Sequence, residues 1–195
     1  GQWNRDINLM KDSGVVQEEN LKISYSNYAD TFFQKKEYDK AEELYKKADN
    51  TEGYKIGYGA FSGTAISSIV LPDSLTAIES NAFSDCSNLT EITIKDSVTE
   101  IQSYAFSDCK GLTTVSIGNK VKSIGNSAFA DCIRVSKIEL PSSVKELGSY
   151  AFKGNTSLKS INLGKIETIG YNVFDGCTSL KNLVIPKTLN KAESS

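Results

Sequence analysis

SDCSNLTEITIKDSVTEIQSYAF (residues 84–106) and SDCKGLTTVSIGNKVKSIGNSAF (residues 107–129) are consecutive stretches of one 23-residue pattern. Counted from the phenylalanine before each stretch, a cysteine falls at three and a leucine at six. Aliphatic residues follow at nine and eleven, a second aliphatic pair comes later, and Ala-Phe closes the unit. Extending the register outward collects Phe61, Phe83, Phe106, Phe129, Phe152 and Phe174, at steps of 22, 23, 23, 23 and 22 residues, which are six of the eight phenylalanines in the 195-residue chain. All four cysteines, Cys86, Cys109, Cys132 and Cys177, share the phase three residues after a Phe.

The pairs at nine and eleven (Ile92 and Ile94, Val115 and Ile117, Ile138 and Leu140, Ile161 and Leu163, Leu183 and Ile185, preceded by Ile69 and Leu71) alternate with polar residues. Period-two alternation over so short a run predicts a short strand with one buried face. Pro72, Pro141 and Pro186, the only prolines, each follow the last residue of such a run. Proline has no N–H for a ladder and belongs at a strand end. A period of 20 to 29 residues with one strand per unit points to a solenoid in which stacked coils bury what no coil buries alone. Six coils at about 4.8 Å per strand spacing would stack to roughly 30 Å, with one parallel sheet on one face.

The consensus closely resembles the BspA-like leucine-rich repeats of bacterial and protist surface proteins, over about Lys55 to Leu189. Asn155 departs from the cysteine phase, Val173 from the alanine phase, and Phe61 opens a shortened unit. The expected fold is an α/β repeat solenoid, mostly β. It is a right-handed leucine-rich-repeat solenoid of about six 22–23-residue coils over 54–189, with a helical N-terminal cap over 1–53 and a tail over 190–195. The resemblance implies export, a cell-surface or secreted location, and attachment to host-surface or extracellular-matrix proteins.

Before Lys55 the strand signature is absent, and eight Lys or Arg against eleven Asp or Glu give −3; the remainder, fourteen against thirteen, is +1. Tyr25, Tyr28, Ala29, Phe32, Tyr38, Ala41, Tyr45 and Ala48 recur at the i, i+3, i+4 spacing of two amphipathic helices. This segment resembles one tetratricopeptide unit, with Tyr28 and Gly53 off its pattern. One helical pair makes no peptide groove, so its expected role is to cap the open end of the solenoid.

The same composition bounds the chemistry. With no histidine, neither imidazole general bases nor Cys/His metal sites can be built. A net charge of −2 without a basic stripe gives no reason to expect nucleic acid. No run approaches 18 apolar residues, and the first residues lack the basic and apolar regions of a secretory signal. Stacked cysteine phases raise the question of disulfides, but parallel Cβ vectors suit the disulfide dihedral poorly, so free buried thiols are expected. Asp85, Asp108 and Asp131 recur once per coil, too sparsely for the six to eight oxygens calcium requires, and are expected to cap backbone N–H groups around a short turn. Gly57 to Gly63 lacks the third glycine of a dinucleotide fingerprint. Asn88 and Asn155 head glycosylation sequons. No cofactor and no enzymatic activity are expected.

If the aliphatic pairs point inward, the intervening residues Val70, Thr93, Ser116, Glu139, Asn162 and Val184 point outward, flanked by Glu91, Lys95, Lys137 and Ser160. This row of mixed polarity suits a protein or peptide partner. The expectation is therefore a non-enzymatic recognition or adhesion module, with an intracellular or periplasmic scaffold joining helical and leucine-rich repeats as the alternative.

Overall fold

The computed structural model describes residues 54–71, 73 and 75–192. The helical pair expected over 1–53 lies outside the described residues. Among the described residues there are eleven short strands: β1 (Tyr54–Ile56), β2 (Leu75–Ile78), β3 (Glu91–Thr93), β4 (Glu100–Ile101), β5 (Thr114–Ser116), β6 (Ser123–Ile124), β7 (Lys137–Glu139), β8 (Glu146–Leu147), β9 (Ser160–Asn162), β10 (Thr168–Ile169) and β11 (Lys191–Ala192). The repeat arises because six successive coils place equivalent residues on neighbouring rungs. Three inter-coil ladders hold the rungs together.

The continuous ladder is not the one the alternating pairs predict. A seven-stranded sheet in the order β1-β2-β4-β6-β8-β10-β11 runs through the second aliphatic pair. Its parallel register aligns Ile78, Ile101, Ile124, Leu147, Ile169 and Ala192. The alternating pairs form only two separate two-stranded sheets, β3-β5 and β7-β9. The single sheet expected on that face is thus broken between β5 and β7.

Two local differences accompany the break. After the other cysteine-phase turns, the N–H of Ser87, Lys110, Thr156 and Thr178 donates to the carbonyl of Asp85, Asp108, Gly154 and Gly176 at 2.8 Å, whereas Ile133 makes no such bond to Asp131. Arg134 also stands in the phase of Gly111, where a Cβ would come within 2.4 Å of the Ser87 carbonyl oxygen. So close an approach to the preceding coil is closed to Arg134 as it is to Ser157, whose coil still pairs through β7 and β9, so the turn difference at Ile133 is the one confined to the break.

The third ladder surrounds the phenylalanines. The N–H of Phe61, Phe83, Phe106, Phe129 and Phe152 donates to the next coil's Ala82, Ala105, Ala128, Ala151 and Val173 carbonyls at 2.8–3.0 Å. The residues two before and two after each Phe have positive φ. They are Gly59, Asn81, Tyr104, Ser127, Tyr150 and Asn172 on one side, and Gly63, Asp85, Asp108, Asp131, Gly154 and Gly176 on the other. The left-handed conformation turns their N–H groups toward the next coil as well, as in Tyr104 to Asn126 at 2.8 Å and Asp108 to Ala130 at 2.9 Å. This explains nine of the twelve residue types there, since glycine, asparagine and aspartate tolerate φ near +60° with least strain; Tyr104, Ser127 and Tyr150 hold it without that advantage. Asp85, Asp108 and Asp131 therefore serve the turn by conformation.

Inside the coils the five rings from Phe61 to Phe152 are nearly inaccessible. All six rings stack nearly parallel, with centroids 5.0 Å apart at the first step and 6.0 Å at the last. The aliphatic phases Leu89, Leu112, Val135 and Leu158 are fully buried beside them. In the last coil the pattern opens. Leu183 and Ile185, in a phase buried at Ile138, Leu140, Ile161 and Leu163, are 36% and 56% exposed, since no described coil follows to cover them.

Candidate functional site

The side chains with potential chemistry lie mostly inside the core. The four cysteines are free and buried. Each thiol reaches back one coil to donate to a phenylalanine carbonyl: Cys86 to Phe61 at 3.0 Å, Cys109 to Phe83 at 3.1 Å, Cys132 to Phe106 at 3.2 Å and Cys177 to Phe152 at 3.1 Å. They are hydrogen-bond donors that tie coils together as well as small apolar fillers. Burial pushes all four thiols above their ordinary value, with the carboxylates of neighbouring turns adding to the effect. A raised thiol buried in this way is a poor nucleophile and a poor metal ligand. Asn155 supplies the missing rung, its Nδ2 donating to Phe129 O at 2.9 Å and to Phe152 O at 2.7 Å. The asparagine of its sequon is therefore buried, whereas Asn88 is exposed. Among the described residues no group of three or more Cys, Asp or Glu side chains is arranged to hold a metal ion. No helix among them is long and apolar enough to cross a membrane.

Of the ten outward residues, Val70, Glu91, Thr93, Ser116, Lys137, Glu139, Ser160, Asn162 and Val184 are exposed and Lys95 is half-buried. Strand register places Glu91 beside Thr114 and Thr93 beside Ser116; in the second short sheet Lys137 lies beside Ser160 and Glu139 beside Asn162. Lys95 pairs with Asp73 at 3.2 Å. Lys137 pairs with Glu139 at 2.6 Å. That hydrogen bond and the lysine's charge hold the Glu139 carboxyl below its usual range.

Between the two short sheets lies an open cleft of about 570 Å³. Ser116, Lys137, Glu139 and Asn162 line it, so it unites four of the ten residues; the other six are not part of it. Its apolar lining is Val115, Ile117, Leu140 and Pro141. Val115 and Ile117 are only half-buried, while Ile92 and Ile94 in the same phases are inaccessible. The alternation that marks this strand in the sequence carries no signal of where the ladder stops, so the cleft was not readable there.

A second surface feature also escaped the sequence pattern. Tyr150 and Tyr171 meet edge to face with centroids 5.0 Å apart, and Lys153 lies 5.2 Å above the Tyr150 ring. The exposed side of the seven-stranded sheet carries mixed charges, including the Lys145–Glu167 pair at 2.8 Å.

The sequence signature described as BspA type leucine rich repeat region, in six copies, matches residues 54–165 and 109–195. The chain belongs to this BspA-type leucine-rich-repeat family. Solved relatives share its coils. The T. pallidum leucine rich repeat protein is 29% identical with a TM-score of 0.69, over 74% of this chain and 69% of that one. A leucine rich cell surface protein from Faecalibacterium prausnitzii is 26% identical with a TM-score of 0.57, covering 67% of this chain but 32% of that one. A leucine-rich repeat protein from Bacteroides ovatus is 30% identical with a TM-score of 0.54, over 71% of this chain and 43% of that one. The chain thus spans less than half the length of the latter two. No curated protein matches it. The BspA-type match begins at residue 54, and no comparison extends the tetratricopeptide resemblance to a family assignment.

Proposed function

We propose that this BspA-type solenoid is a non-enzymatic protein-recognition module acting in adhesion at a bacterial cell surface, with the short-strand row and its cleft as the binding face. The observation that carries the reading is the exposed, mixed-polarity row of Thr93, Ser116, Glu139 and Asn162, interrupted by a cleft with a partly exposed apolar lining. Interfaces combine such an apolar centre with a polar rim. The cell-surface description of the Faecalibacterium relative supports the location. The charged residues of the row, Glu91, Lys95, Lys137 and Glu139, are of both signs, so no part of it demands an ionic partner.

Binding to a panel of purified extracellular-matrix proteins tests the proposal. Saturable binding by the wild-type chain should weaken about tenfold or more in Glu139→Lys with Asn162→Arg, without a change in melting temperature. It should persist in Glu100→Lys with Glu146→Lys, on the opposite sheet. Loss in the second variant alone would move the site to the seven-stranded sheet. A cytoplasmic location in cell fractionation would favour the scaffold reading.

A further inference from the structure

We infer that the edge of the solenoid just before the phenylalanine turns is a binding site for a linear, uncharged polysaccharide, which lies along the stack with its sugar rings on exposed tyrosines. The site is separate from the short-strand row and goes beyond the protein-recognition reading. In every coil the residues three and two before the Phe are tyrosine, serine, asparagine or glycine, twelve positions with no charge and no aliphatic side chain. A chain that is 24% charged would place about three charges among twelve positions. Conformation does not exclude them, since the other left-handed phase, two after the Phe, holds Asp85, Asp108 and Asp131. Tyr, Ser, Asn and Gly together make up surfaces built for recognition, with rings for contact area and small polar groups for hydrogen bonds.

The turn gives tyrosine no advantage. Tyr104 and Tyr150 hold φ at 59°, where Asn81 and Asn172 serve other coils with less strain. The rings lie at the surface instead, Tyr58 being 75% and Tyr104 47% exposed. Tyr58, Tyr104 and Tyr150 belong to alternate coils, so successive rings stand two rungs apart, roughly 10 Å. A hexose in an extended β-linked chain is about as long as one rung, and alternate sugars of such a chain present the same face. Rings on every second rung therefore meet equivalent C–H faces, which stack on an aromatic plane. Hydrogen-bond donors are fixed between them. Asn126 Oδ1 accepts the Ser149 N–H at 2.8 Å and Gln102 Oε1 accepts the Ser80 N–H at 3.2 Å. Both amides are thereby oriented, and Asn126 Nδ2 and Gln102 Nε2, which have no partner among the described residues, are left for sugar hydroxyls. Lys153 and Tyr171 already hold the Tyr150 ring, so Tyr58 and Tyr104 are the free platforms. The stripe is open along six coils, about 24 Å, a shape for a polymer rather than a single sugar.

Affinity electrophoresis of the full chain through native gels containing hydroxyethylcellulose, arabinoxylan or galactomannan tests this. At least one of these neutral, extended chains should retard the wild-type protein. Tyr104→Asn, which puts the residue of Asn81 on the same backbone, should weaken the retardation about tenfold or more while the melting temperature holds or rises. Tyr104→Phe keeps the ring and should keep binding, and Lys120→Glu, exposed elsewhere on the solenoid, should leave it unchanged. If Tyr104→Asn lacks a cooperative melt, Tyr58→Ser carries the same expectation. No retardation by any of the three, retardation only by heparin or alginate, or retardation indifferent to both tyrosine variants overturns the inference. So does loss of matrix-protein binding in Tyr104→Asn where no polysaccharide binds, which would make a protein the occupant. Matrix-protein binding lost only through Glu139→Lys with Asn162→Arg belongs to the short-strand row; retardation by a neutral polysaccharide that needs Tyr104 supports the inference whether or not that reading holds.

Discussion

Asn155 shows how closely a single rung is specified. It stands where its neighbours carry cysteine, reproduces the back-bond to the preceding coil, and leaves its Oδ1 buried without a partner. A buried orphan acceptor costs about 1–3 kcal/mol, while a neutral hydrogen bond contributes about 1 kcal/mol net. Asn155→Cys would keep the bond to Phe129 O through its thiol, remove the orphan, and lose only the second Nδ2 bond. The expected outcome is a net gain of about 1 kcal/mol, seen as a rise of roughly 2–4 °C in melting temperature. A fall in melting temperature would show that the amide's two donor bonds outweigh the missing partner. The opposite sign is expected for alanine at Gly154, where φ is +71° and a Cβ would lie 2.0 Å from Asp131 Oδ1, so the backbone strain that Asp or Asn tolerates elsewhere in this phase is added to a displacement of the Asp131 carboxylate.

At the scale of the element, the phenylalanine stack and the seven-stranded sheet couple each coil to the next. Phe106 has a ring on either side at 5.1 Å and no solvent contact. Truncating so large a buried side chain costs about 3–5 kcal/mol, so Phe106→Ala should lower the urea midpoint severely. Phe174, half-buried and stacked only on Phe152 at 6.0 Å, should lose less than half as much on the same change. Equal losses would mean that the stack does not couple the coils. This ladder was legible in the chain because a phenylalanine every 22 or 23 residues is a large, repeated signal. The continuous sheet was not. Its buried residues, such as Val98 and Ile101, are spaced by three, and most of its strands are two residues long, too short for alternation to show. The alternating run around Ile92 and Ile94 read clearly as a strand, but whether neighbouring strands bond depends on turns such as that at Ile133 and Arg134, which the alternation does not encode. The outward row was therefore readable, and the cleft within it was not.

The solenoid is a stack in which each coil's stability depends on its neighbours, so a property shared by one phase acts on the stability of all its coils. The buried thiols are such a property. All four have folded values raised above the ordinary 9.0, chiefly by burial, Cys109 and Cys132 most strongly. As pH rises past 9 the unfolded chain releases these protons first and is favoured. Stability from the thiols is thus complete below about pH 9 and drains away as pH climbs toward the folded values. Melting temperature should hold between pH 7 and 8.5 and fall between pH 9 and 11, more steeply in the wild-type chain than in Cys109→Ala with Cys132→Ala. Parallel slopes in the two proteins would place the alkaline transition on other groups. The same burial predicts slow iodoacetamide labelling of the native chain at pH 8, with Cys177 modified first. Cys177 retains 9% exposure in the last coil, whereas Cys86, Cys109 and Cys132 have none. Simultaneous labelling of all four would instead show that the coils open together, and that the stack unfolds as one cooperative body rather than fraying from the end where Leu183 and Ile185 lie exposed.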